Sequence, residues 1–167
     1  MQKVFVSACL LGDKVRYDGR SVLSGNALLQ QWVDAGRVVS LCPEVSAGMS
    51  TPRSPAEISA GTGVNVLSGD VFVTDNTGQD VTDDFLVGAN NALSVCKKEG
   101  ITIAVLTENS PSCGSSFIYS GDFSGQKIAG AGVTAALLLA NGIQVFNQYQ
   151  LDEVNHCLLQ ADDSALP

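Results

Sequence analysis

The sequence predicts an α/β fold: a single-domain, Rossmann-like, three-layer fold with a mostly parallel sheet and a small hairpin insertion. Three observations carry this. Short β-branched runs alternate with amphipathic ones along most of the chain, the pattern of strand–helix–strand units joined by right-handed crossovers. The run "ITIAVLT" (101–107) is apolar throughout, as suits a strand covered on both faces. The chain has 167 residues, enough to bury one core without disulfide or metal staples.

The elements follow in order. "KVFVSA" (3–8) is the first strand. "GNALLQQWVDAG" (25–36) has apolar residues at 28, 29, 32 and 33, one face of a helix, with Gly36 as its stop. "RVVSL" (37–41) is the second strand, and residues 43–63, rich in Pro, Ser and Gly, read as a long loop. "GVNVLSGDVFVTDNTGQDVT" (63–82) reads as a hairpin that turns at "SGD". The clearest helix runs from Thr82 to Gly100: Thr82 or Asp83 caps it, and Phe85, Ala89, Ala92, Leu93 and Cys96 share one face. After the strand 101–107 come a short buried helix, "GVTAALLLANG" (132–142), and a last strand, "IQVF" (143–146). The domain thus spans 1–146, and 147–167 is a tail, helical at most and loosely packed.

Hydrophobic residues make up 45% of the chain and charged ones 16%, which excludes large-scale disorder. A net charge of −8 argues against a nucleic acid polymer or an anionic membrane as partner. It leaves room for a small anion if a few basic residues are gathered locally. Neither a leader nor a membrane span is visible, so a cytoplasmic location is expected. Thiols stay reduced there, and five cysteines, an odd number, speak against a disulfide framework.

Cys9 directly follows the first strand, Cys42 follows the second, and Cys113 lies in the loop after 101–107. Sites in parallel sheets form at the carboxyl ends of the strands, so these three cysteines share one rim. No local metal motif joins them; the grouping rests on topology. Cys96 sits on the apolar face of its helix, and Cys157 lies beside the lone histidine, His156, in the tail. Both read as small packing residues. Three thiolates can hold zinc with an exchangeable fourth position. They can equally hold a [4Fe–4S] cluster, which ordinarily takes four cysteines and with three keeps one iron open as a Lewis acid. Soft thiolates serve both centres.

The stretches "VSACLLGDKVRYDG" (6–19), "CPEVSAGMSTPRSPAEI" (42–58), "ENSPSCGSSFIYSGDFSG" (108–125) and "GAGVTAALLLANGIQVF" (130–146) resemble, in order, the blocks of the DUF523 family. The resemblance runs from Val4 to Phe146. It implies a thiouracil desulfidase: an enzyme that removes sulfur from thiolated uracils, 4-thiouridine monophosphate included, without net redox chemistry. It implies a [4Fe–4S] cluster on Cys9, Cys42 and Cys113, with one iron not ligated by protein. It makes Glu44, in "CPE", the acid–base group and Ser110, in "NSPSCG", a catalytic serine. The chain departs from the family at Ser46 and Met49, where Gly or Val is usual. Neither is a ligand, so the departure bears on substrate range.

The residues permit that chemistry. Glu44 is two positions from Cys42 and could move protons beside a bound group. Ser110 could bond a developing oxygen. Lys14, Arg16, Arg20 and Arg53 follow the first two ligand cysteines and suit a phosphate, while Tyr17 could stack on a base. Ser112, Ser115 and Ser116 are expected to bond backbone groups or cluster sulfides, and Gly114 to let the backbone approach the cluster. Loops 10–20 and 108–116 are expected to be mobile without it. Two other readings stay open: a cluster-binding sensor or carrier without catalysis, and a zinc or thiol hydrolase.

Overall fold

The computed structural model describes residues 1–22 and 25–164. In chain order the elements are β1 (Val4–Ser7), a 3-10 turn (Ala8–Leu11), α1 (Ala27–Asp34), β2 (Val38–Leu41), α2 (Pro43–Ser46), β3 (Ala56–Ile58), α3 (Gly63–Ser68), β4 (Val73–Asp75), α4 (Thr82–Glu99), β5 (Ile103–Leu106), β6 (Phe117–Tyr119), β7 (Lys127–Ala129), α5 (Val133–Ala140), β8 (Gln144–Asn147) and α6 (Leu151–Ser164).

Four strands form a parallel sheet in the order β2-β1-β5-β8, with Val4 opposite Val38, Phe5 opposite Ala104 and Ile103 opposite Gln144. Strand period 2 sorts the core. Val4, Val6, Ile103 and Val105 pack with Leu29 and Trp32 of α1 and with Leu151, Val154 and Leu158 of α6. Phe5, Ala104 and Leu106 take the opposite face, with Ala92, Leu93 and Cys96 of α4 and Ala135 and Leu138 of α5. The predicted three-layer fold and the predicted apolar face of α4 are both present. The strand order reverses between β1 and β5, and a doubly wound sheet opens a crevice at the carboxyl ends of such a pair.

The insertion differs from its predicted form. Residues 63–68 do not pair with 73–75; they form α3. Alternating valines there imitate a strand, but the Asn65 side chain takes the Thr62 N–H at 3.0 Å, and Gly69 ends the turn at φ 82°. The partner of β4 is β3, from the stretch expected to be a loop, paired antiparallel with Ala56 opposite Asp75. A second hairpin, β6–β7, was not legible, because a Ser/Gly-rich loop precedes it and "SGDFSGQ" separates its three-residue strands. Both hairpins, α3 and the start of α4 enclose a satellite core of Ile58, Val66, Val73, Phe85 and Ile118.

Two ends also differ. Neither Thr82 nor Asp83 caps α4 from outside: Thr82 is its first residue, and Asp80 accepts the Thr82 N–H at 2.9 Å. The tail is helical but not loose. Val154 and Leu158 are fully buried, and Asp162 accepts from Arg37 at 2.7 Å and from the Gln2 N–H at 2.6 Å. Residues 165–167 of that tail lie outside the described residues. No described helix is long and apolar enough to cross a membrane.

Candidate active site

The carboxyl ends of β1 and β5 are stitched together by short polar side chains. Ser7, the last residue of β1, accepts the Thr107 N–H at 3.2 Å and donates to Cys113 Sγ at 3.5 Å. Thr107 Oγ1 lies 2.8 Å from Cys9 Sγ. These contacts seat Cys9 and Cys113 over the switch point. Cys42 directly follows β2 and is the residue before α2, with Sγ 3.9 Å from the Val15 carbonyl. Gly88 fixes α2 from behind: a Cβ there would collide with the Pro43 carbonyl, so α4 lies directly on the backbone beside Cys42.

All three cysteines line one cavity of about 410 Å³. Burial pushes each of the three thiols above its ordinary pKa; Thr107 partly offsets this at Cys9 and Ser7 at Cys113. A metal group that binds them must therefore displace protons. All five cysteines are free. Among the described residues no three His, Cys, Asp or Glu side chains gather around a single-ion position. The three thiols share one cavity, where each could take an iron of a cluster. Cys96 is buried in the core with its thiol pushed up to about 11 by desolvation. Cys157 packs against the α1–α6 side, and the neighbouring His156 ring lies 2.9 Å from Gln160.

Glu44, Ser110, Arg16, Tyr17 and Arg53 also line the cavity, whereas Lys14 and Arg20 do not. Arg20 pairs instead with Asp18 on the surface. Arg53 is 8% exposed and grips Glu44 Oε2, with Nε at 2.7 Å and Nη2 also on that oxygen. Its Nη1 donates to the Val15 carbonyl at 3.1 Å. Arg16 lines the cavity without an ion pair among the described residues. Ser110 Oγ accepts the N–H groups of Ser112 and Cys113, both at 3.1 Å.

The loop that carries Cys113 is held by a residue given no role from sequence. Glu108 Oε1 accepts four backbone N–H groups, from Asn109, Ser115, Ser116 and Phe117, at 3.0–3.2 Å. Its Oε2 accepts from Ser115 Oγ at 3.1 Å and from Asn147 Nδ2 at 2.6 Å. Burial pushes this carboxyl up, but the N–H groups of Phe117, Ser116 and Asn109 and the Asn147 amide outweigh it and hold it below the ordinary glutamate value. The expectation that metal is the main anchor of 108–116 is thereby revised, since Glu108 anchors the loop through the protein's own bonds. Ser112 bonds Thr134 at 2.8 Å. The side Gly114 leaves open meets the carbonyls of Ser110 and Phe117, so its role is close packing within the loop. The one sequence signal for Glu108 was an acid at the end of a buried strand, directly before a small-residue loop.

The 2-thiouracil desulfurase family profile matches residues 4–150. The uncharacterized protein YbbK of Bacillus subtilis (strain 168) is 44% identical over 151 residues, covering 90% of this chain and 99% of that one. The solved structure of a [4Fe-4S]-dependent thiouracil desulfidase, TudS (DUF523Vcz), superposes with a TM-score of 0.88 at 45% identity, covering 96% of this chain and 99% of that one.

Proposed function

The chain belongs to the 2-thiouracil desulfurase family, and from that premise we propose that it hydrolyses thiolated uracils, as free base or nucleotide, to the oxo compound and sulfide. No redox change is involved: water oxygen replaces sulfur on the ring carbon, and sulfur leaves with the protons of that water. Cys9, Cys42 and Cys113 would hold the [4Fe–4S] cluster. When bound, it supplies an iron with an open position, a Lewis acid for the soft thiocarbonyl sulfur. The observation that carries the reading is the convergence of these three thiols and Glu44 on one cavity at the switch point.

Glu44 is the proton carrier in this reading. Arg53 occupies Oε2, so Oε1 remains to take a proton from the adding water and return it toward the departing sulfur. Arg53 is a positioning residue here and not a phosphate ligand. Ser110, whose oxygen already accepts two N–H groups, keeps its own hydrogen to donate to the developing oxygen. Of the four cations first considered for a phosphate, Arg16 is the one that lines the cavity without an ion pair among the described residues, its guanidinium 5.9 Å from the Tyr17 ring centre.

The test is anaerobic reconstitution followed by incubation with 2- and 4-thiouracil and 4-thiouridine monophosphate, with sulfide measured. Sulfide release with a matching oxo product is expected. Glu44→Gln should keep its iron and lose roughly 100- to 10,000-fold in turnover, the usual range for general acid–base catalysis. Full iron loading without sulfide from any of these compounds would leave the sensor or carrier reading.

A further inference from the structure

The wall of the cavity built by the two hairpins has a chemistry that sulfur removal leaves unused. Glu57, in β3, is 8% exposed and lines the cavity. It has no ion pair among the described residues. Its Oε2 accepts the N–H groups of Gly121 at 2.8 Å and Phe123 at 3.0 Å. Its Oε1 takes no hydrogen bond from the described residues and is not sealed from solvent. Water reaches that oxygen, and a ligand N–H entering the cavity can take the water's place as donor.

The loop that Glu57 grips is stiff. Gly121 lies so close to the Ile58 carbonyl that a Cβ would collide with it. Asp122 accepts from the Ser124 N–H at 3.1 Å and bonds Ser120 and Ser124 through their hydroxyls. Within this loop Phe123 sits at φ 55°, a left-handed conformation unfavourable for an aromatic residue. The strain presents its ring, 40% exposed, at the cavity.

We infer that Glu57 and Phe123 form the pyrimidine subsite: Glu57 Oε1 accepts the ring N3–H, and the Phe123 ring packs on the face of the base. This rests on the desulfidase reading and adds how the ring is chosen. N3 lies between C2 and C4, so one acceptor orients 2-thio and 4-thio uracils alike. Its hydrogen survives when N1 carries a sugar, so base and nucleotide meet the same test. A cytosine-type ring has a lone pair at N3 and meets the carboxylate acceptor to acceptor. Sites built around a donor on the substrate reject analogues that lack it.

Equilibrium binding of uracil and 3-methyluracil to the reconstituted protein, measured by calorimetry, reads this subsite without turnover. Uracil should bind, and 3-methyluracil should bind at least about tenfold more weakly. Glu57→Gln keeps an oxygen for Gly121 and Phe123 but offers the ring an amide donor. It should weaken uracil binding and raise the KM for 2-thiouracil by about 10- to 100-fold, the worth of a hydrogen bond to a charged group, with kcat little changed. Its preference for 2-thiouracil over 2-thiocytosine should shrink or invert, which loss of a purely structural acid would not produce. Phe123→Gly suits the backbone, so it should unfold no more easily than the parent while KM rises. Equal binding of uracil and 3-methyluracil, or an unchanged preference in Glu57→Gln, overturns the Glu57 assignment; an unchanged KM in Phe123→Gly overturns that of the ring. Glu57-dependent uracil binding without sulfide release from any thiouracil would support the subsite and remove the desulfidase reading alone.

Discussion

The loop after β5 is gathered around one carboxylate: Glu108 collects four backbone N–H groups, a hydroxyl and an amide, Ser110 and Thr134 add bonds of their own, and Cys113 lies inside that net. The loop after β1, which follows Cys9, has no such hub among the described residues. Its backbone bonds are spread out, such as Gly19 N–H to the Arg16 carbonyl at 2.9 Å and Val22 N–H to the Cys9 carbonyl at 2.8 Å. The Arg20–Asp18 ion pair within it involves an arginine side chain that is 79% exposed, and such pairs contribute little. Arg53 ties it to the body through the carbonyls of Val15 and Tyr17, and Val15 and Val22 pack against the core. The Cys113 loop is thus gathered on one carboxylate, while the loop after Cys9 is held by scattered contacts, some of them across the cavity. Order already present in one loop lowers the entropy lost when a group binds there.

The bluntest way to probe this contrast is to remove a ligand from each loop. Cys9→Ala and Cys113→Ala should both reconstitute without the cluster, so iron content and sulfide release fall to background. A Cys9→Ala protein with full iron would take the first loop out of the site altogether. Amide hydrogen exchange sharpens the contrast. In the metal-free protein the amides of Ser115, Ser116 and Phe117 should be protected, while those of residues 13–20 exchange quickly, and reconstitution should slow mainly the latter. Equal exchange in both loops before reconstitution would remove the difference.

Glu108→Gln tests the hub directly. An amide cannot accept all six bonds, and a loss of about 2–3 kcal/mol is expected in denaturant unfolding of the metal-free protein, the range for losing hydrogen bonds to a buried charged group. The sign with pH follows from the lowered carboxyl pKa. Glu108 stabilises the fold above the unfolded glutamate value, about 4.3, and that contribution fades as pH falls through the lower folded value. The parent should therefore lose more stability than Glu108→Gln on acidification below about pH 4. Parallel curves for the two proteins would mean that the carboxylate does not bear the load assigned to it. The smallest effect is expected away from both loops. Cys96→Ala should leave iron unchanged and cost about 1 kcal/mol, a modest large-to-small change in the core; iron loss at unchanged folding would mean that the ligand set is wrong.

Local pattern was enough to read the layered sheet, the apolar face of α4 and the placing of Cys9, Cys42 and Cys113 on one rim. Those properties follow from side-chain period and from the rule that parallel strands end together. The hairpin was misread because Val64 and Val66 alternate as in a strand, while the Thr62–Asn65 pair and Gly69, which decide for a helix, act through geometry at its ends. The role proposed for Glu44 was legible through the family resemblance, but the surroundings of Glu57 and Glu108 were beyond the sequence for a further reason. Glu44, Glu57 and Glu108 are the same residue type near the same cavity, and only their bonds differ: one oxygen held by Arg53, one held by a loop more than sixty positions away, or both oxygens filled. A carboxylate becomes reactive, recognising or structural according to which donors reach it, and those donors come from distant segments brought together only by the folded chain.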